Sequence, residues 1–416
     1  FGSSIRGQPG CAMAAKDPTL KNQKWKGMIQ GGIGKYMTER PASFRRRVSR
    51  GIPSEYTEYR WEVWKAMICV KECSRPGHYQ DLIHHENEWT RLIEIDIPRT
   101  FPDIPLFDKE QQSSLLRILQ AYTNLNPDVG YCQGMNFVVG LLMYVCQKGD
   151  FRQTLRLEKE EETFWMFVHL MDEGRLSGFY KRRFPLLRQY LWAFDELMAD
   201  LLPDLREHFL RENVQHAVYL HQWFLTLFIN CLPLPMVLAF WDYIVCVGLN
   251  ALVPLTLSLL QVHKENLLEL EFEDIVRFFK ALRTIDEGID PALIGLNLVK
   301  LGRNIEIPDS IRQRLEACEV EEDEPSPYKC FPQEAASREN PPQAEVSDDV
   351  GLNGKFQIGS YLQQFGDLRR DLPQGMLNWW EDARDKLHTA GLGVPVRAGA
   401  EKRLEVSWSV NPDAAR

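Results

Sequence analysis

Two polar side chains, Arg99 and Gln133, stand in short segments that predict helix boundaries, at residues 93–100 and 131–136. An arginine supplies fixed positive charge with forked donors, and a glutamine carries a donor and an acceptor on one carboxamide. Together they suit stabilising a phosphoryl transfer and its attacking water. Taken singly, Arg99 is better explained as a surface or salt-bridged arginine, and Gln133 as a buried hydrogen-bonded amide. Only the pair points to chemistry.

The elements that must position this pair are helices. From about residue 20 to 320 the apolar residues recur at helical spacing, with almost no strand signal. Asp108 is suited to cap a helix that stops at residues 124–130, just before the Gln133 segment, and Asp290 is suited to cap another. Residues 137–146 are apolar on nearly every face, as in a buried helix. Helices packed on helices are therefore the predicted architecture.

Composition limits the alternatives. The chain has 416 residues, 44% hydrophobic and 26% charged, which is typical of a globular protein with a sizeable core. Acidic residues outnumber basic ones by 58 to 49, and the net charge of −9 argues against a general affinity for nucleic acid or anionic membranes. That total leaves room for a local basic cluster. Nine scattered cysteines fit reduced thiols in a cytosolic protein.

One long apolar stretch competes with the soluble interpretation. Between Glu212 and Lys264 the only formally charged side chain is Asp242, and residues 243–262 carry none. By length alone this run could span a bilayer. Gly248 and several prolines divide it into pieces of about a dozen residues, which favours buried helices of a large all-α domain.

The two ends of the chain differ in character from the middle. Residues 1–20 are expected to be a flexible N-terminus and residues 21–315 the folded domain. Residues 316–352 are acidic and proline-rich and predict a disordered linker. In the tail, residues 353–416, apolar side chains return at helical spacing and predict an amphipathic helix that packs on its own domain or binds a partner.

Several short motifs occur in a fixed order. They are Arg50-Gly-Ile-Pro53, Arg60-Trp61, Ile93 with Asp96, Arg99 and Thr100, Tyr131-Cys-Gln133-Gly134, Gln222-Trp223-Phe224, and Phe240-Trp241-Asp242. This series resembles the TBC-domain family of GTPase-activating proteins for Rab small GTPases. The resemblance covers roughly residues 25–303, about two thirds of the chain.

The resemblance implies an all-α, multi-helix TBC domain with helical N- and C-terminal subdomains that acts on a GTP-bound Rab in trans. Arg99, in the family's I-x-x-D-x-x-R motif, would be the arginine finger, and Gln133, in the Y-x-Q-G motif, would orient the hydrolytic water. The partner would carry GTP and Mg²⁺, and the sequence has no Gly-x-x-x-x-Gly-Lys-Ser/Thr loop of its own. A role in vesicle trafficking is implied, with a cytoplasmic location peripheral to endomembranes and membrane association through the partner. No nucleic acid partner is expected.

Five further residues of these motifs are predicted to support the pair. Asp96 can hold the Arg99 guanidinium or a nearby backbone amide, or can cap a helix end. Gly134 would let backbone approach closely, while Tyr131 and Asn136 would lock the loop by hydrogen bonds. Thr100 completes this supporting set.

Two positions depart from the family pattern. Six residues, 54–59, separate Pro53 from Arg60 where the family usually has three, so the packing of this segment is open. Ala239 stands where the family often has an arginine, two residues before Trp241. A supporting ion pair is therefore expected to be missing there.

Other assignments of notable side chains are weaker or purely structural. Cys132 has no nearby cationic partner in sequence and is predicted to be a packing residue rather than a nucleophile. Trp223, Trp241 and Asp242 are predicted to form a packed core with one satisfied carboxylate. A metal site is disfavoured because its C-x₃-C spacing lacks a second tight pair. Its candidate ligands are Cys69, Cys73, His78, His84 and His85.

Two functions remain open from sequence. The first is a catalytic GTPase activator, and the second is a catalytically silent scaffold of the same fold that binds a Rab or an effector. The presence of both Arg99 and Gln133 favours the first.

Overall fold

The computed structural model describes residues 18–68, 77–102, 104, 107–148, 156–284 and 290–317. Over these ranges the chain is helical and contains no β-strand, which confirms the all-α prediction. The first described helix begins at Pro18 and the last ends at Ala317. Most of the predicted N-terminal segment and nearly all of the linker and tail lie outside the described residues, so those boundaries stay predictions.

The α-helices of the described ranges follow one another with short connections. In chain order they are α1 (Pro18–Gln30), α2 (Ile33–Glu39), α3 (Pro41–Val48), α4 (Arg60–Ile68), α5 (His78–Leu82), α6 (Thr90–Asp96), α7 (Lys109–Leu125), α8 (Met135–Lys148), α9 (Arg156–Met171), α10 (Pro185–Leu201), α11 (Pro203–Arg211), α12 (Leu220–Leu225), α13 (Leu234–Val247), α14 (Leu252–Val262), α15 (Lys264–Leu268), α16 (Phe272–Ala281), α17 (Pro291–Gly302) and α18 (Asp309–Ala317). Short 3₁₀ segments lie at Ser54–Tyr59, Ile97–Arg99, Leu176–Phe179, His216–Val218 and Gly248–Ala251.

Two helix starts show why the sequence folds as predicted. The side chain of Asp108 accepts a hydrogen bond from the backbone N–H of Gln111 at 2.9 Å, and α7 begins at the next residue. Asp290 accepts from the N–H of Ala292 at 2.9 Å, ahead of Pro291 in the first turn of α17. Each carboxylate satisfies an otherwise unpaired donor at a helix N-terminus. Both N-cap predictions are confirmed.

The long apolar stretch becomes two core helices. Among the described residues, Leu234–Val262 is the one stretch long and apolar enough to cross a membrane. An 18-residue window within it has a mean hydropathy of 2.0, and 67% of that window is buried within the domain. A 3₁₀ segment at Gly248–Ala251 separates α13 from α14, as the glycine predicted. Both helices pack against α17. Most of this apolar stretch is therefore covered by protein.

A buried ion pair joins the N-terminal helices to this core. The Asp242 carboxylate, on α13, accepts hydrogen bonds from Arg60 Nε at 3.0 Å and Arg60 Nη2 at 3.2 Å. Trp64 Nε1 donates to the same carboxylate at 3.0 Å, and the backbone N–H of Ile52 donates at 3.2 Å. The Trp64 ring stacks on Trp241 with centroids 5.6 Å apart. The prediction of a packed core with a satisfied carboxylate is confirmed.

The additional residues before α4 pack outward against α1. They form the 3₁₀ segment Ser54–Tyr59, in which Tyr56 leaves helical geometry. The Tyr56 ring stacks on Trp25 with centroids 6.4 Å apart, and its hydroxyl donates to the Asn22 carbonyl at 3.3 Å. Asn22 Nδ2 in turn donates to Glu55 at 2.7 Å. The longer spacing thus adds contacts to α1 while Arg60 keeps its place at Asp242.

Ala239 lies in the tightly packed contact between α13 and α17. Its side chain is buried, and a Cβ added at Gly295 of α17 would lie 3.0 Å from the Ala239 Cβ. A long arginine side chain would not fit between these two helices without moving one of them. Asp242 nearby takes its ion pair from Arg60 instead.

Candidate functional site

Arg99 ends the 3₁₀ segment that follows α6. Its side chain is 49% exposed, and Nη1 lies 3.8 Å from Oδ1 of Asp96, the last residue of α6. At that distance the pair is a loose contact, outside good hydrogen-bond geometry. The Asp96 charge therefore orients the Arg99 guanidinium without occupying its hydrogen-bond donors.

Asp96 is buried beneath Arg99 and is held from its other side. The Tyr131 hydroxyl donates to Asp96 Oδ2 at 2.8 Å. Burial raises the pKa of Asp96 above its ordinary value, while the Tyr131 hydrogen bond and the Arg99 charge oppose that rise. The carboxylate caps no helix end in the described structure. Of the two roles predicted for Asp96, the structure therefore favours orienting the Arg99 guanidinium.

Gln133 sits in the turn between α7 and α8. The residue is only 5% exposed, and no hydrogen bond in the described part of the chain uses its carboxamide. Gly134 beside it has φ +116°, and an added Cβ would lie 2.8 Å from the carbonyl oxygen of Leu225. Only glycine fits this turn without strain. The turn is thus tightly packed around Gln133, whose carboxamide makes no hydrogen bond to the described residues.

One asparagine ties the two segments together. Asn136 Nδ2 donates to Thr100 Oγ1 at 2.8 Å, while Asn136 Oδ1 accepts from the N–H of Gly134 at 3.0 Å. Thr100 Oγ1 in turn donates to the carbonyl of Asp96 at 3.0 Å. All four of these residues are buried. The chain positions next to Arg99 and next to Gln133 therefore belong to one hydrogen-bonded unit.

Gly140, which no sequence motif singled out, also positions the Arg99 segment. Phe101 has φ +53°, an uncommon conformation for a bulky residue, and its ring meets Phe137 edge-on with centroids 5.9 Å apart. A Cβ at Gly140 of α8 would lie 2.9 Å from the Phe101 ring and 3.0 Å from Thr100 Cγ2. The available signal was a glycine within an otherwise bulky buried helix.

A second unanticipated support lies behind Gly134. The Tyr180 hydroxyl donates to the Leu225 carbonyl at 2.6 Å, the same carbonyl that Gly134 approaches. Two successive residues after it, Leu227 and Phe228, have φ values of +46° and +66°. Apolar residues in this conformation carry no local sequence signal, because tertiary packing imposes it.

The competing chemistries gain no support. Burial and the charge of Asp96 raise the pKa of the Cys132 thiol to about 12, so a thiolate nucleophile is not formed near neutral pH. Cys69 and Cys73 lie outside the described residues. Among the residues that are described, no three or more histidine, cysteine or acidic side chains come together as metal ligands.

Comparison with solved structures identifies the fold. The structure is similar to the Ypt/Rab-GAP domain of Gyp1p, with a TM-score of 0.55 and 22% identity, covering 63% of this chain and 91% of that one. It is also similar to a Chlamydomonas flagellar RabGAP TBC domain, with a TM-score of 0.55 and 22% identity, covering 69% and 92% respectively. At this level of identity the likeness concerns the fold.

Sequence comparison then gives the family. The profile of the Rab-GTPase-TBC domain matches residues 57–268, about half of the chain, and the chain belongs to this family. It is 30% identical over 251 residues to the human Ecotropic viral integration site 5 protein homolog, covering 59% of this chain and 29% of that protein. It is 31% identical over 244 residues to the Caenorhabditis elegans Rab GTPase-activating protein eat-17, covering 58% and 26%. For the Danio rerio Growth hormone-regulated TBC protein 1-A the identity is 30% over 276 residues, covering 64% and 72%.

The chain thus spans less than a third of the length of the human and nematode relatives.

Proposed function

We propose that this chain is a GTPase-activating protein that accelerates GTP hydrolysis by a Rab-type small GTPase. Arg99 acts as the arginine finger and Gln133 orients the attacking water. The observation that carries this proposal is the Asn136–Thr100 hydrogen bond of 2.8 Å, which joins the two segments into one unit. Membership of the Rab-GTPase-TBC family supports the class of partner. The partner brings GTP and Mg²⁺, at a cytoplasmic location peripheral to endomembranes.

The exposed guanidinium of Arg99 supplies charge. Phosphoryl transfer spreads negative charge over the phosphate oxygens, and an arginine provided in trans is worth roughly 10³ to 10⁵ in rate. That corresponds to about 4 to 7 kcal/mol of transition-state stabilisation. With Asp96 only 3.8 Å away, Arg99 is aimed but retains its donors for the partner's phosphates.

The Gln133 carboxamide supplies the water-orienting function. Its oxygen can accept a hydrogen bond from the attacking water while its NH₂ donates to a phosphate oxygen or to the partner's backbone. Because no structural hydrogen bond of the described residues uses the carboxamide, it can make these bonds without leaving a core partner unsatisfied.

A single-turnover GTP hydrolysis assay across a panel of GTP-loaded Rabs tests the proposal. The full chain is expected to accelerate at least one Rab, and Arg99→Ala and Gln133→Ala are each expected to lower that acceleration by a factor of roughly 10² or more. Matched controls are Arg206→Ala and Gln261→Ala, which replace exposed residues of the same types on α11 and α14.

The controls should hydrolyse GTP like the parent chain. If a Rab binds the chain but no Rab is accelerated, the protein is the catalytically silent scaffold. If acceleration survives Arg99→Ala unchanged, the assigned mechanism is wrong.

A further inference from the structure

A dense group of arginines lies in and directly beside α3, in the N-terminal part of the chain. Residues 40–50 contain five arginines, although the whole chain has a net charge of −9. Two of them are occupied by Tyr36: Arg47 Nη2 donates to its hydroxyl at 2.9 Å, and the Arg40 guanidinium lies 5.8 Å from its ring centroid. The other three, Arg45, Arg46 and Arg50, are exposed.

A fourth arginine, Arg303, comes from a distant part of the chain and lies near Arg50 and near Cys246, which Arg45 also contacts. Arg303 directly follows α17, and Arg50 is placed beside that helix because Gly51 packs against Leu296, where an added Cβ would clash. Arg45 Nη1 donates to the Cys246 carbonyl at 3.2 Å, near the end of α13. We call Arg45, Arg46, Arg50 and Arg303 the arginine face.

Among the described residues, the arginine face has no acidic side chain paired with it. Burial and the like charge of Arg50 lower the pKa of Arg303 below its ordinary value. In the ranges that the structure describes, no carboxylate comes within ion-pair distance of any of the four. Mutually repelling cations without acidic partners indicate a surface whose counter-charge comes from another molecule.

An apolar side chain projects beside these cations. Val247 follows Cys246, whose carbonyl Arg45 contacts, and it is 40% exposed at the end of α13. The backbone then turns at Gly248, which has φ +70° and open space around it. Phosphates of a nucleic acid or carboxylates of an acidic peptide would satisfy the arginines but give this valine no apolar environment. The headgroup region of a bilayer satisfies both.

We propose that the arginine face binds an anionic phospholipid surface, with its guanidinium groups on the lipid phosphates and Val247 at the acyl boundary. The interaction adds a direct membrane contact to the association through a partner GTPase. It does not depend on Arg99 or Gln133.

Cosedimentation with vesicles, in the absence of any GTPase, tests this proposal. The full chain is expected to bind phosphatidylcholine vesicles containing 30% phosphatidylserine, and not pure phosphatidylcholine. Each basic residue at such a surface is worth about five-fold in partitioning, so Arg46→Glu/Arg50→Glu should lower binding roughly 25-fold or more. Val247→Ser should lower it by a smaller factor, about three-fold.

The matched control is Arg188→Glu/Arg206→Glu, which changes the net charge equally at exposed positions on α10 and α11. It should bind vesicles like the parent chain. Both double variants should keep the parent's unfolding midpoint. In the described structure no hydrogen bond or ion pair is made by the side chains that they change, which are Arg46, Arg50, Arg188 and Arg206. Acceleration of a soluble GTP-loaded Rab should also be unchanged in Arg46→Glu/Arg50→Glu, which separates this proposal from the proposed function.

Three results would overturn the proposal. The first is equal binding, or no binding, to the two vesicle types. The second is an equal loss in the control pair. The third is binding that appears only when the acidic residues 321–324 are changed to their amides, which would identify the chain's own acidic segment as the occupant of the arginine face.

Discussion

Two arginine–aspartate pairs occupy contrasting places in this domain. Arg60 and Asp242 are both buried, with two hydrogen bonds between them at 3.0 and 3.2 Å, and the carboxylate also accepts from Trp64 and Ile52. Arg99 and Asp96 approach only to 3.8 Å, and the Arg99 side chain remains 49% exposed.

The contrast separates a structural arginine from one available for a partner. The buried Arg60 guanidinium makes its two hydrogen bonds to Asp242 within the chain, so its removal should lower the stability of the fold. Arg99 keeps most of its hydrogen-bonding capacity, so its removal should be felt in the reaction with a partner. The aspartates differ accordingly. Asp242 accepts hydrogen bonds from Arg60, Trp64 and Ile52. Burial raises the pKa of Asp96, while the Tyr131 hydrogen bond and the Arg99 charge oppose that rise.

The largest expected effect on stability is at the buried pair. Arg60→Ala leaves the Asp242 charge without its counter-ion and should lower the free energy of unfolding by about 3 to 5 kcal/mol. Arg99→Ala should lower it by less than about 1 kcal/mol. Denaturant unfolding followed by tryptophan fluorescence measures both. Adding Asp242→Asn to Arg60→Ala should recover part of the loss, and similar losses for the two single variants would remove the contrast.

The next effect concerns the backbone that carries Arg99. Gly140→Ala places a methyl group against Phe101 and Thr100 and should cost about 1 to 3 kcal/mol of stability. Because it displaces the Arg99 segment, it should also slow GTP hydrolysis by up to about 10²-fold. Gly27→Ala on α1, where nothing lies within 4 Å of the new methyl, is the matched control. A normal hydrolysis rate in Gly140→Ala would show that this contact does not position Arg99.

A smaller effect is expected from the hydroxyl that holds Asp96. Tyr131→Phe removes the 2.8 Å hydrogen bond and should cost about 1 kcal/mol in the free energy of unfolding. The freed carboxylate should then pair more closely with Arg99, which would slow hydrolysis more than it weakens binding of the GTPase. Comparing the single-turnover rate at saturating chain with the half-saturating concentration distinguishes these outcomes. A change confined to binding would contradict this role of Tyr131.

The smallest effect is the pH dependence of Asp96. Its pKa is raised in the folded state, so the folded chain holds this proton more tightly than the unfolded chain does. Stability from this group therefore falls as pH rises from the ordinary pKa of 3.8 through the raised value. The stability of Asp96→Asn relative to the parent should accordingly increase over that interval, as measured by unfolding at a series of pH values. A stability difference that stays constant with pH would mean that folding does not shift the pKa of Asp96.

Much of this arrangement was predictable from sequence because local rules governed it. The caps at Asp108 and Asp290, the division of the apolar stretch at Gly248 and the all-helical class follow from residue type and spacing. The supporting set around Arg99 and Gln133 was predicted by resemblance to the family. The structure adds which atoms join, with Asn136 as the bridge between the segments.

Tertiary contacts account for what was not predictable. Gly140 matters because Phe101 is pressed against it in a left-handed conformation, and Tyr180 matters because it holds the carbonyl that Gly134 approaches. Neither partner is near in sequence. Arg60 likewise pairs with Asp242 across 182 positions, which supplies the ion pair that Ala239 was expected to lack.

Hydrolysis of GTP by a Rab whose own water-orienting glutamine has been changed to alanine tests most directly whether Arg99 and Gln133 act in trans. We expect the parent chain still to accelerate this Rab by a factor of roughly 10³, and Gln133→Ala, or Arg99→Ala, to lower the acceleration by roughly 10² or more. Loss of acceleration by the parent chain on this Rab, or retention of it by Gln133→Ala, would contradict the assignment of Gln133.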